Sequence, residues 1–207
     1  MNEKTRTRLI DYFCGAEGND PIEKCARLAY KDVQRTLRGI GNLPEKEKYI
    51  EEICTFISSC IRNISISEEQ VDFDRWHDNT CEEIIKKSEV FPQFKNKIAR
   101  SNNKHFHHGQ AQKWLNITLK NMVIFELQDK YPILVQIKEY LHIPIDQYII
   151  NGTHVKRPKG AVYEWSRWDS PQYNDYQKAL RGIIPLEKTP IEWEIEEWPK
   201  FKKEFSL

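Results

Sequence analysis

Two residues in the middle of this chain invite chemistry. Lys113 lies in HHGQAQKWLNITLKNM, a run that is apolar around most of a helical cylinder, and Asp146 follows a proline in HIPIDQYII. Lys120 and Asn116 share the lysine's side of the run. At 3.6 residues per turn, Lys113 and Lys120 fall about 20° apart, and Asn116 about 40° from Lys120. Trp114, Leu115, Ile117, Leu119, Met122, Val123, Ile124 and Phe125 cover most of the remaining surface. A helix that is apolar nearly all round is buried, so a narrow polar stripe on it lines a cleft or meets a partner. A lysine at the edge of a cleft sheds part of its hydration. That disfavours an ammonium and prepares an amine to act as a nucleophile. The competing reading is that both lysines run their stems along apolar surface and keep their ends in water.

The surrounding charge is uneven. Val90 to Phe125 holds Lys95, Lys97, Arg100, Lys104, Lys113 and Lys120 with His105, His107 and His108, and no Asp or Glu at all. The whole chain is 30% charged with a net charge of only +1, so an acid-free window is a real asymmetry. It fits contact with phosphates. The alternative is a solvated basic face balanced by acidic helices elsewhere. Other chemistries have weaker support. His105, His107, His108 and His142 do not follow a zinc-ligand spacing and no CxxC accompanies them, so no metal and no cofactor is expected. Cys81 has no evident His/Asp partner set for nucleophilic catalysis. No phosphate-binding P-loop, GxSxG elbow or dinucleotide fingerprint occurs.

These residues must be positioned by helices. A chain of 207 residues makes one domain that buries roughly 70% of its unfolded surface. Thr5 to Cys14 is a short helix. Asp20-Pro21 opens a second, with Ile22, Cys25, Ala26, Ala29, Val33 and Leu37 at helical spacing, ended by Gly39 and Gly41. Pro44 opens a third with the stripe Ile50, Ile53, Cys54, Ile57 and Ile61. A fourth starts at Ser67 and runs towards Lys87, with Trp76 in the core and His77 able to face the cleft. A further helix begins near Ser170-Pro171. The tail from Pro190 is read as a short amphipathic element whose Glu192, Glu194, Glu196 and Glu197 form a solvated face. The class is therefore mainly α: one helical domain over residues 1–207. It comprises N-terminal helices (1–88), a segment carrying the chemistry (89–150) and an aromatic C-terminal segment (151–207). Five cysteines, an odd number with no two at CxxC spacing, read as reduced, and no apolar run approaches a membrane span. A cytoplasmic protein with no membrane association and no obligatory protein partner is expected.

In GQAQK a glycine precedes Lys113 by four residues, and HIPID places Asp146 two residues after Pro144. Glycine, lysine and aspartate in this order, in an all-helical chain, resemble the helix-hairpin-helix DNA glycosylase superfamily. The long interval between lysine and aspartate most resembles its archaeal 8-oxoguanine glycosylase branch. The likeness spans Lys104 to Ile150. His105-Phe106-His107-His108-Gly109 stands where that family has Leu-Pro-Gly-x-Gly, and the iron–sulfur cysteines of some members are absent. The resemblance implies a helix-hairpin-helix-like element and a DNA partner carrying a modified base. That base would be an oxidised purine or, as in phage DNA, a modified cytosine, giving a role in repair or antiviral defence. It implies Lys113 as Schiff-base nucleophile and Asp146 as the carboxylate that stabilises positive charge at the sugar. Gly109 would admit a phosphate. Lys120 and Asn116 would orient the pair or hold substrate. Gln110, Gln112, His105, His107, His108, Lys104 and Arg100 would contact DNA, and Trp165 or Trp168 would stack on a flipped base. The opposing expectation is a non-catalytic helical protein that binds nucleic acid or protein through the basic 90–125 surface.

Overall fold

The computed structural model describes residues 1–15, 20–37, 45–67, 69–89 and 106–205. The protein is a mainly α bundle, and nine α-helices lie among the described residues. The first four are α1 (Glu3–Cys14), α2 (Pro21–Val33), α3 (Lys46–Arg62) and α4 (Gln70–Glu89). The buried α5 (His108–Ile124) follows, then the short α6 (Ile133–Ile137) and α7 (Gln147–Gly152). Finally come α8 (Ser170–Arg181) and α9 (Pro190–Phe205). Local sequence sets most of the ends. The Asn2 side chain accepts from the Thr5 N–H to open α1, and Asp20 accepts from Ile22 N with Pro21 in the first turn of α2. Asp169 and Gln172 form a reciprocal capping box on α8.

α5 is the axle. Its most extensive packing is against α2, where Ala26 and Ala29 let the two backbones approach. Trp114 fills the join, fully buried, and its indole N–H donates to the Ala26 carbonyl at 2.8 Å. One apolar cluster gathers α1 to α4 around α5. A second, made of Ile143, Ile145, Ile149, Trp168, Tyr173, Tyr176, Leu180 and Trp193, lies among α7, α8 and α9. Fully burying each such side chain is worth about 1.5–3 kcal/mol, which is why α5 needs a wall on each side. The site lies where the two clusters meet.

Two sequence expectations are corrected here. The C-terminal element is not short: α9 runs for 16 residues, straight through Pro199. Nor are its glutamates a uniform solvated face, because Glu194 is 1% exposed and points inward. The alternating Glu and Trp of this tail satisfy a helix because Glu194 has a half-buried cation, Lys120, to meet. Lys95, Lys97, Arg100, Lys104 and His105, and with them residues 90–105 of the basic window, lie outside the described residues; of the segment that stands in place of the hairpin motif, Phe106 to Gly109 are described and lead directly into α5.

Candidate active site

The connector from Leu141 to Ile145 is buried but not helical. Its backbone groups therefore need partners from elsewhere. α8 supplies them. The Gln177 amide donates to Ile143 O at 2.6 Å while its oxygen accepts from Ile143 N at 3.2 Å. The Arg181 guanidinium donates to Tyr140 O and Leu141 O at 2.7 and 3.0 Å. Held this way, the connector delivers Asp146 as the N-cap of α7, where Oδ1 accepts from Ile149 N at 3.0 Å.

The other oxygen does something different. Asp146 Oδ2 accepts from Lys113 Nζ at 2.9 Å and from the Trp198 indole N–H at 2.8 Å. The lysine is 7% exposed. The structure thus brings Lys113 and Asp146 together on one cleft, of about 990 Å³, between α5, α7 and α9. A second ion pair lies one α5 turn pair further along. Lys120 Nζ is 2.8 and 2.6 Å from the two oxygens of Glu194. Trp165 and Trp198 wall the cleft, their ring centres 5.6 Å from Lys113 Nζ and 5.8 Å from Lys120 Nζ. Arg35, Lys202, Tyr148 and Phe205 also line it.

The two carboxylates respond differently to burial. Burial pushes the Asp146 carboxyl up. The Lys113 charge and the hydrogen bonds from Ile149, Lys113 and Trp198 outweigh that and hold it below its ordinary 3.8. For Glu194 burial wins over the Lys120 charge, and the carboxyl lies above its ordinary 4.5. The ionised Asp146 therefore adds stability at pH values above 3.8, and that contribution is lost as pH falls through its lower folded value. Trp198→Phe removes one of the donors that lowers it. The variant is expected to move the acid limb of site function, and the Asp146 titration followed by NMR, to higher pH, at a stability cost of about 1 kcal/mol. An unmoved titration would show that the indole N–H does not hold this carboxylate.

The remaining expected site residues separate into groups. Trp165 lies on the cleft with the lysines. Trp168 does not. It is a core residue, 1% exposed, packed edge-on against Tyr176 with its N–H bound to Val162 O, and it has no face to offer a base. Asn116 turns away from the cleft, wholly buried, towards His77 and Tyr173. Gln112 joins it on that side, and Gln110 bridges to the Thr36 carbonyl at 2.8 Å. His108 is buried beside α4 and α8, and His77 is fully buried rather than on the cleft. His107 sits half-buried at the N-cap of α5. Gly109 permits a close approach, but to the protein's own backbone. A Cβ there would stand 2.1 Å from Trp165 O, and its N–H already donates to Trp168 O. The polar stripe on α5 thus divides, lysines to the cleft and amides to the interior. Glu194 and Trp198 were missed by sequence reasoning. Their spacing of four, which places both on one face of a helix, was the available signal.

Comparison with protein-family models, with curated proteins and with solved structures returned no match. Among the described residues no helix is long and apolar enough to cross a membrane.

Proposed function

We propose that this protein is a DNA glycosylase with lyase activity, which excises a modified base through a Schiff base on Lys113. The observation that supports it most is the buried Lys113–Asp146 pair, 2.9 Å apart, on a cleft with aromatic walls. A sugar carbon inside a stacked duplex is out of reach, so the nucleotide is flipped into the cleft. Trp165 and Trp198 offer stacking faces, and Lys120 with Glu194 offers a donor and an acceptor to the base edge. As the glycosidic bond breaks, its electron pair leaves with the base and positive charge grows at C1′. The ionised Asp146 stabilises that charge. The Lys113 amine, having passed a proton to the leaving base, donates its lone pair to C1′. Ring opening gives the Schiff base. Loss of a C2′ proton then expels the 3′ phosphate.

The test is base release from duplexes carrying an oxidised purine, a modified cytosine or only normal bases. Release from one modified duplex and not from the normal one is the expected result, and it also assigns the base. Tight DNA binding with no release from any duplex would favour a non-catalytic binding protein.

A further inference from the structure

Behind the cleft, on the far side of α5, lies a buried polar cluster that the glycosylase reading does not use. Its protonation pattern follows from two backbone anchors. The Gly109 carbonyl can only accept, so the Gln112 amide nitrogen faces it, at 2.8 Å. The Gln112 oxygen then accepts from Asn116 Nδ2 at 2.9 Å, which leaves Asn116 Oδ1 facing His77 Nε2 at the same distance. His77 must donate from Nε2, and its Nδ1 keeps a lone pair. The second anchor is Ile143 N, which fixes the Gln177 oxygen, so that Gln177 Nε2 and Asn116 Nδ2 both donate to the Tyr173 hydroxyl. Tyr173 must then donate to His142 Nδ1, and His142 Nε2 donates to Asp74. His142 has both nitrogens occupied. His77 does not.

Four groups are left over. His77 Nδ1 lies 3.8 Å from Cys81 Sγ, one turn along α4. His108 Nε2 and Asp78 Oδ1 are buried, neither has a hydrogen-bond partner, and they face each other across 3.6 Å. The ligand atoms of His77, Cys81 and His108 all lie within 4.8 Å of one another. Two unpartnered buried polar atoms are costly unless something pairs them. A tetrahedral ion with ligand bonds of about 2.0–2.3 Å has ligand–ligand edges of about 3.3–3.8 Å, so side-chain adjustments of about 1 Å bring His77, Cys81 and His108 to ligand spacing. The surroundings suit the task. Asn116 takes the other ring N–H of His77, and Asp78 Oδ2 accepts from Ser170 and Asn174, the outer hydrogen bonds that orient metal ligands.

We propose that His77, Cys81 and His108 bind one zinc-class divalent ion, with Asp78 turning in from beside His108 as the fourth ligand; the ion ties α4 to the first turn of the α5 helix that carries Lys113. The His₂Cys-carboxylate set, with a thiolate and two imidazoles, selects a borderline-soft ion over magnesium or calcium. The sequence histidines set aside above as a metal site are a different group. Only His108 is shared; the spacing of four between His77 and Cys81 is present in the sequence, and the packing of α4 against α5 is what brings His108 to it.

Cobalt(II) serves as the probe. Full-length protein stripped with a chelator is titrated with it. The expected result is one equivalent bound, with tetrahedral d–d absorption and a thiolate-to-cobalt charge-transfer band, both removed by added zinc. Cys81→Ser is expected to lose the charge-transfer band and to bind roughly tenfold or more weakly, while Cys25→Ser, buried elsewhere, keeps both. No charge-transfer band in the wild type, or a band that persists in Cys81→Ser, overturns the proposal. The wild-type titration decides alone if Cys81→Ser does not fold.

Discussion

Lys113→Gln is expected to abolish strand scission and to cut base release on the order of 10⁴-fold or more, because a nucleophile that acts with its partner as a unit cannot be removed in part. Asp146→Asn is expected to lower base release on the order of 10²–10³-fold through lost stabilisation of charge at C1′. Neither change should unfold the protein. Stripping a buried charge of its only partner costs about 3–5 kcal/mol, but Asp146 without Lys113 retains the Ile149 and Trp198 N–H groups. Asparagine at 146 caps a helix about as well as aspartate, so α7 keeps its start. The checks are base release and scission assayed side by side, with thermal midpoints to show that both variants are folded. Full base release in both would mean that the pair is structural and the chemistry lies elsewhere.

Gly109→Ala carries the largest expected effect on the fold. The added Cβ meets Trp165 O at 2.1 Å and Ser166 C at 2.9 Å. These are backbone atoms and cannot rotate away. Either α5 or the Trp165–Arg167 turn must shift, at a cost of about 1–3 kcal/mol or more. For a chain of this length that lowers the melting midpoint by roughly 2–4 °C per kcal/mol. The shift also moves Trp165, whose ring lies 5.6 Å from Lys113 Nζ. Base release should therefore fall even at temperatures where the variant is fully folded. An unchanged midpoint would show that the turn is not held against Gly109 in solution.

Much of this was legible in the sequence, because helix-forming patterns are local. The stripes of α2 and α3, the Asp20-Pro21 start and the Ser170-Pro171 start each declare themselves within a few residues. The burial of α5 followed from its apolar circumference. Which way each polar residue on α5 faces did not follow. Lys113 and Asn116 differ by less than a quarter turn. They separate only because α9 brings Glu194 and Trp198 to one side, while α4 and α8 bring His77 and Tyr173 to the other. Trp168 went to the core for a similar reason. A tryptophan beside a cleft and one beneath it have the same sequence signature, and the carbonyl partner of its N–H decides between them. Glu194 was misread because a buried carboxylate is disfavoured unless a cation meets it, and Lys120 lies 74 positions away.

One measurement bears most directly on the Lys113–Asp146 pair. Wild-type protein is incubated with duplex DNA carrying a modified base in the presence of borohydride, and any crosslinked peptide is located by mass spectrometry. The expected result is a reduced adduct on Lys113, absent from Lys113→Gln. An adduct on Lys120 or any other lysine, or base release with no adduct at all, would contradict the assignment of Lys113 as the nucleophile.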